Sequence, residues 1–183
     1  MAHVILGLLL LAPQSLYDLI KNFEAGVALV YSASSGSIKR ALDGLLANGS
    51  IEVESVEPGG RGRKVYRATD AGRAEFHRWM SGPIEGADLE TAALSRLFFL
   101  GLLAPAERAA VLERIRERAA ANVAELEAVD RHLSTLEVPE EFREVLAYQR
   151  ATLDYGLSSG RHALAWFTER AEHAEHAAHA ASA

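Results

Sequence analysis

The chain has no cysteine among its 183 residues. That excludes disulfides, thiolate metal sites and cysteine nucleophiles. It also fits a reducing compartment, so a cytoplasmic location is expected. Proline is sparse. The five prolines, at 13, 58, 83, 105 and 139, all fall between predicted elements rather than inside them. Long apolar runs are missing too. The run Val4–Ala12 is too short to span a bilayer. It has no basic residues before it, and Pro13-Gln14-Ser15 is a poor cleavage site, so it reads as a buried first helix rather than an export signal. No membrane association is expected.

Catalytic signatures are also wanting. There is no phosphate-cradling GxxxxGK[ST], no HExxH and no expected Gly-x-Ser-x-Gly strand-to-helix turn. His3, His77, His132 and His162 are scattered, and Glu140-Glu141 suit the start of a helix after Pro139, where the helix dipole favours them. The expectation is no enzyme and no cofactor.

What is present is a charge asymmetry. The net charge is −6, yet residues 1–80 carry 9 Lys/Arg against 8 Asp/Glu, whereas residues 81–183 carry 10 against 17. Only the contact surface of a nucleic-acid binder has to be positive. The stretch from Gly59 to Gly72 gathers Arg61, Arg63, Lys64 and Arg67.

The first eighty residues read as three helices, a hairpin and a connecting helix. The first helix covers Val4–Leu11 and stops before Pro13. Ser15 caps a second, with Leu16, Leu19, Ile20 and Phe23 on one face. Ser34 or Ser35 caps a third, with Ile38, Leu42, Leu45 and Leu46 on its buried side and Asn48-Gly49 at its end. Ile51–Val56 alternates as a half-buried strand, Pro58-Gly59-Gly60 breaks it, and Lys64–Thr69 returns as its partner. Thr69 or Asp70 opens a fourth helix ending near Met80. This is the order of a winged helix-turn-helix.

Residues 81–87 read as a linker. Residues 88–172 are read as a helical, coiled-coil-like dimerisation domain and 173–183 as a frayed, alanine-rich tail. Leu112, Ile115, Ala119, Asn122, Leu126, Val129, Leu133 and Leu136 keep a heptad spacing. Gly156 and Gly160 sit one turn apart, which fits either a close helix contact or a kink. His173, His176 and His179 recur every third residue, but nothing elsewhere completes a metal site, so none is expected.

In a winged helix the third helix enters the major groove and the wing lies along the backbone. The DNA-facing residues expected are therefore Ser34, Ser35, Ser37, Lys39 and Arg40 on the third helix and Arg61, Arg63 and Lys64 at the wing tip, while Tyr31, just before the third helix, either contacts the DNA backbone or closes the core. Arg67 either touches DNA or pairs with Glu52 or Glu54 across the hairpin. Trp79, Phe98, Phe99, Trp166 and Phe167 are the aromatics available to line a hydrophobic ligand pocket, or else to fill cores.

Over residues 3–80 the chain resembles the PadR-type transcriptional regulators. The residues that carry the resemblance are ILGLLLLAPQSLYDLI, SSGSIKRALDGLLANGSIE and GRGRKVYRATDAGRAEFHRWM, the last matching the pattern R-x-K-x-Y-x-x-T-x-x-G. Residues 88–170, through ALSRLFFLGLL and GLSSGRHALAWF, resemble the helical C-terminal domain of the longer, virulence-activator-type members. There are two departures: Lys39 stands where the family often has tyrosine, and Leu16 where it often has glycine. The resemblance implies a homodimer on a pseudo-palindromic double-stranded DNA operator, repression as the sense of regulation, and in some members a small aromatic effector. The rival reading, kept open by the acidic C-terminal half, is a helical ligand- or protein-binding module whose winged helix does not bind DNA.

Overall fold

The computed structural model describes residues 1–27, 33–57, 62–86 and 88–182. It is mainly helical, with one three-stranded antiparallel sheet. Two compact units divide it, Met1–Leu103 and Ala104–Ala183.

In the first unit, helix α1 (Ala2–Leu11) is apolar on nearly all sides, and Val4 to Leu9 are all buried. It is the central element of this unit. Its seventh chain position is glycine for a steric reason: a Cβ on Gly7 would lie 2.7 Å from the ring of buried Phe99. Ala12 is extended, as a residue before proline should be. Gln14–Ser15 then form a two-residue strand, β1, before helix α2 (Leu16–Ala25). Ser15 and Asp18 close a capping box at its start. Helix α3 (Ser35–Ala47) is capped by Ser34 and buries Ile38, Leu42 and Leu45. Leu46, expected on that buried side, is instead exposed. It follows Leu45 by one position, about 100° around the helix, which takes it off the core-facing stripe.

Strands β2 (Ile51–Glu57) and β3 (Arg63–Ala68) form the expected hairpin, and β1 adds to the other edge of β3, giving the order β1-β3-β2. Gln14 lies opposite Tyr66 and Ser15 opposite Val65. The half-buried alternation expected of β2 holds only at Ile51, because Val53 and Val56 are exposed. The hairpin extends beyond the core, and its register shifts between Val53 and Ser55, as at a bulge. Helix α4 (Asp70–Ser81) follows, capped by Thr69. Helix α5 (Leu89–Phe98), capped by Asp88, belongs to this same unit, so residues 81–87 connect two of its helices.

The second unit pairs helix α6 (Pro105–Ser134) with helix α7 (Arg143–Ser182). Its buried α6 positions are Val111, Leu112, Ile115, Ala119 and Val123. The strict heptad expected from Leu112 to Leu136 therefore drifts. After Ala119 the buried position is Val123 rather than Asn122, and Val129 and Leu136 are exposed. A straight helix turns every 3.6 residues, so a 3.5-residue stripe rotates away from a fixed partner. Of the two alternatives left open at the glycines, α7 shows no break at either, and the close contact holds at Gly160, where a Cβ would lie 3.2 Å from Val123 Cγ2. α7 continues to Ser182, as alanine, the strongest helix former, favours.

Candidate nucleic-acid interface

The apolar stripe Ile38, Leu42 and Leu45 anchors α3 to the core and leaves Ser35, Lys39 and Arg40 exposed. At its N-terminus the Ser34 Oγ accepts the Ser37 N–H at 3.2 Å, and the Ser37 hydroxyl donates to the Ser34 carbonyl at 2.7 Å. These two hydroxyls thus serve the cap itself. Lys39 Nζ meets Asp43 Oδ2 at 2.5 Å, one turn on, and the Asp43 carboxylate holds the Lys39 ammonium above the ordinary lysine range. Arg40 folds back toward the helix start, its Nη1 3.8 Å from where a Cβ on Gly36 would sit. Tyr31 lies outside the described residues.

On the wing, Gly62 adopts φ 66°, a left-handed conformation that favours glycine. Arg61 lies outside the described residues, and Lys64 is exposed. Arg63 does not point away from the domain. Its Nη2 lies 2.5 Å from Asp18 Oδ2 at the start of α2. The cause is the β1–β3 pairing, which sets Ser15 opposite Val65 and brings the α2 capping box beside the base of the wing. The Ser15 hydroxyl and the Arg63 guanidinium both hold the Asp18 carboxyl below its usual range. Arg67 pairs with Glu52 at 2.5 Å, as their cross-strand register allows; Arg67 is thus the hairpin's own partner.

Two residues on this face are not among those expected from the sequence. Tyr17 is 58% exposed, Lys21 Nζ lies 4.7 Å from its ring centroid, and Arg63 Cζ lies 5.9 Å from it. A hydrogen bond with Tyr17 raises the Lys21 ammonium above its ordinary value. The available signal was their spacing of four, opposite the buried Leu19 and Phe23.

The five candidate pocket aromatics divide between the two units, Trp79, Phe98 and Phe99 in the first and Trp166 and Phe167 in the second. Phe99 is a core residue, Phe98 is 45% exposed, and Trp79 borders a cleft within the first unit. Trp166 and Phe167 pack edge to face in the second unit. Among the described residues no three side chains converge to hold a metal, and no described helix is long and apolar enough to cross a membrane. The string Gly156-Leu-Ser-Ser-Gly160 does have Gly-x-Ser-x-Gly spacing, but it lies inside α7, where there is no strand-to-helix turn.

Helices α1 to α3, a three-stranded sheet with a projecting hairpin, and α4 define the first hundred residues as a winged-helix unit. Residues 5–78 match the transcriptional regulator PadR-like family, and residues 92–175 match the virulence activator alpha C-terminal family. The chain thus combines a PadR-like family domain with a virulence-activator-type C-terminal domain. A probable transcriptional regulator of Mycobacterium tuberculosis is 32% identical over 83 residues, 45% of this chain and 44% of that protein, so the match spans less than half of the relative's length. Among solved structures, Bacillus subtilis PadR in complex with operator DNA is 20% identical with a TM-score of 0.43, covering 94% of this chain and 98% of that one. The PadR-like regulator BC1756 of Bacillus cereus is 26% identical with a TM-score of 0.41, covering 95% and 97%. The Vibrio cholerae virulence activator AphA is 21% identical with a TM-score of 0.39, covering 92% and 94%.

Proposed function

We propose that the chain binds double-stranded operator DNA as a homodimer and represses transcription there. The observation that carries this reading is α3. It is fixed to the core by Ile38, Leu42 and Leu45 and presents Ser35, Lys39 and Arg40 outward, in a winged-helix unit whose hairpin carries exposed Lys64. Arg or Lys reads guanine edges in the major groove, and wing cations neutralise phosphates. Arg61 and Tyr31 are assigned to the same surface on sequence grounds.

Dimerisation is assigned to the second unit. Phe142, Val145, Tyr148 and Tyr155 of α7 and the turn before it are each more than half exposed. Their spacing of three, three and seven places them along one helix face. Exposed apolar stripes of this size ordinarily mark an interaction surface. A twofold partner covers such a stripe and presents a second winged helix to the DNA, with half-sites about 34–36 Å apart or a multiple of that.

A second reading has its own observation. The pairs Lys39–Asp43 and Arg63–Asp18 occupy two of the expected DNA-binding cations. That favours a winged helix that does not touch DNA and a chain that acts through protein or ligand binding. Mobility shift of the DNA upstream of the chain's own gene separates the two. The DNA reading expects a specific shift that Lys39→Ala makes less selective. Failure to shift any upstream fragment supports the second reading.

A further inference from the structure

Helix α3 carries one acidic residue, Asp43, and two basic ones, Lys39 and Arg40, and all three are exposed. Because Ile38, Leu42 and Leu45 face the core, the outermost line of the helix is Gly36, Arg40, Asp43 and Ala47, at spacings of four, three and four. Asp43 therefore stands on the face that the DNA-binding reading turns toward the major groove. Small residues end that line on either side of it. Nothing lies within 4 Å of the Cβ position of the neighbouring Gly44. Little side chain separates this carboxylate from a groove floor.

A carboxylate so placed meets phosphates of its own sign, and it can only accept hydrogen bonds. Entering a groove, it has to find donors. Lys39 supplies one: its Nζ donates to Asp43 Oδ2 at 2.5 Å, with the two side chains 60% and 57% exposed. The carboxylate keeps further acceptor sites. The donors that base edges offer in the major groove are the cytosine N4 and adenine N6 amino groups, and aspartate pairs with the first. The remaining donors of the Lys39 ammonium suit the guanine O6 and N7 acceptors. A donor and an acceptor held side by side thus match the edge of one G·C pair, with guanine at Lys39 and cytosine at Asp43.

We infer that Asp43 is a specificity-determining residue and that, with Lys39, it reads one G·C pair in each half-site. The inference rests on the DNA-binding reading and adds to it what the acidic partner does. At any other base pair Asp43 lacks its second donor. It also repels the backbone and keeps Lys39 neutralised, which weakens binding to unrelated sequences. The ion pair is then a filter on DNA sequence rather than an obstacle to DNA.

The test is selection from duplexes of randomised sequence by the full chain, for the parent, Asp43→Asn and Asp43→Ala, followed by affinity measurements. Asp43 is exposed, so both variants keep the fold. The parent is expected to enrich a motif with an invariant G·C pair in each half-site. Changing that pair to A·T weakens parent binding about five- to a hundredfold. Asp43→Asn, whose amide suits adenine, loses the G·C preference at this pair and leaves the rest of the motif as it is. Asp43→Ala binds unrelated DNA more tightly than the parent. A parent motif that Asp43→Asn leaves unaltered, or no motif at all, overturns the inference while DNA binding stands. Unrelated DNA bound no more tightly by Asp43→Ala overturns it as well. A parent that retains no duplex overturns the DNA-binding reading itself, and this inference with it.

Discussion

Gly72 sits against the carbonyl of Ser50 so closely that a Cβ at Gly72 would fall 2.0 Å from that oxygen. The same carbonyl accepts the Thr69 N–H at 3.0 Å. The Thr69 hydroxyl donates to the Gly49 carbonyl at 2.7 Å and accepts the Gly72 N–H at 3.2 Å. The sequence Thr-Asp-Ala-Gly is thus a joint. It caps α4 and locks it to the turn between α3 and β2, fixing the wing relative to α3.

Gly72→Ala is therefore expected to destabilise the first unit by at least about 2 kcal/mol, the scale of forced overpacking. The obstacle is backbone, which cannot swing away as a side-chain tip can. Gly44 on α3 is the control. Nothing lies within 4 Å of its Cβ position, so Gly44→Ala should be neutral or stabilise by up to about 1 kcal/mol. Denaturant melts of both variants check this, with the Gly72→Ala midpoint falling and the Gly44→Ala midpoint holding or rising.

The two glycines of α7 should behave differently from each other. Gly156 has only an ordinary contact, 3.8 Å to Leu126 Cδ1, so Gly156→Ala should gain about 0.5–1 kcal/mol in helix propensity. Gly160 faces Val123 at 3.2 Å. Gly160→Leu should push α6 and α7 apart and cost about 1–3 kcal/mol. Thermal unfolding followed by helicity distinguishes the pair.

His3 gives a pH dependence. Burial pushes its imidazole below the ordinary value, Glu75 opposes that shift, and the chain's amino terminus and Arg96 add to it. The unfolded chain then takes up the proton at about pH 6.5, before the folded chain does. Stability from this residue is present above that pH and falls as the pH drops from about 6.5 toward the folded value. His3→Phe should flatten this part of the melting-temperature profile between pH 7.5 and 5.5.

Much of the fold is legible in local chemistry. Ser15, Ser34 and Thr69 are caps because their side chains satisfy helix N–H groups within three residues. The hairpin follows from alternation and from the glycines between its strands. What escapes a linear reading is whatever depends on a distant strand. β1 has two residues and no period of its own, yet its pairing with β3 brings Asp18 to Arg63 across 45 positions. That pairing changes the candidate site, because Arg63 is engaged at the wing base. The partner of Arg67 also needed the register, which puts Glu52 rather than Glu54 opposite. Tyr17 and Lys21 join the same face for the same reason: only the folded β1–β3 pairing sets the outer face of α2 beside Arg63.

The central claim is that the winged-helix unit uses wing cations to bind DNA phosphates. The most direct measurement is the salt dependence of affinity for upstream DNA, comparing the parent with an Arg61→Ala/Lys64→Ala double variant. The account predicts a linear fall of log K with log salt concentration, with a slope shallower in the variant by about 0.9 for each phosphate no longer neutralised. A double variant that binds with the parent's slope would contradict it.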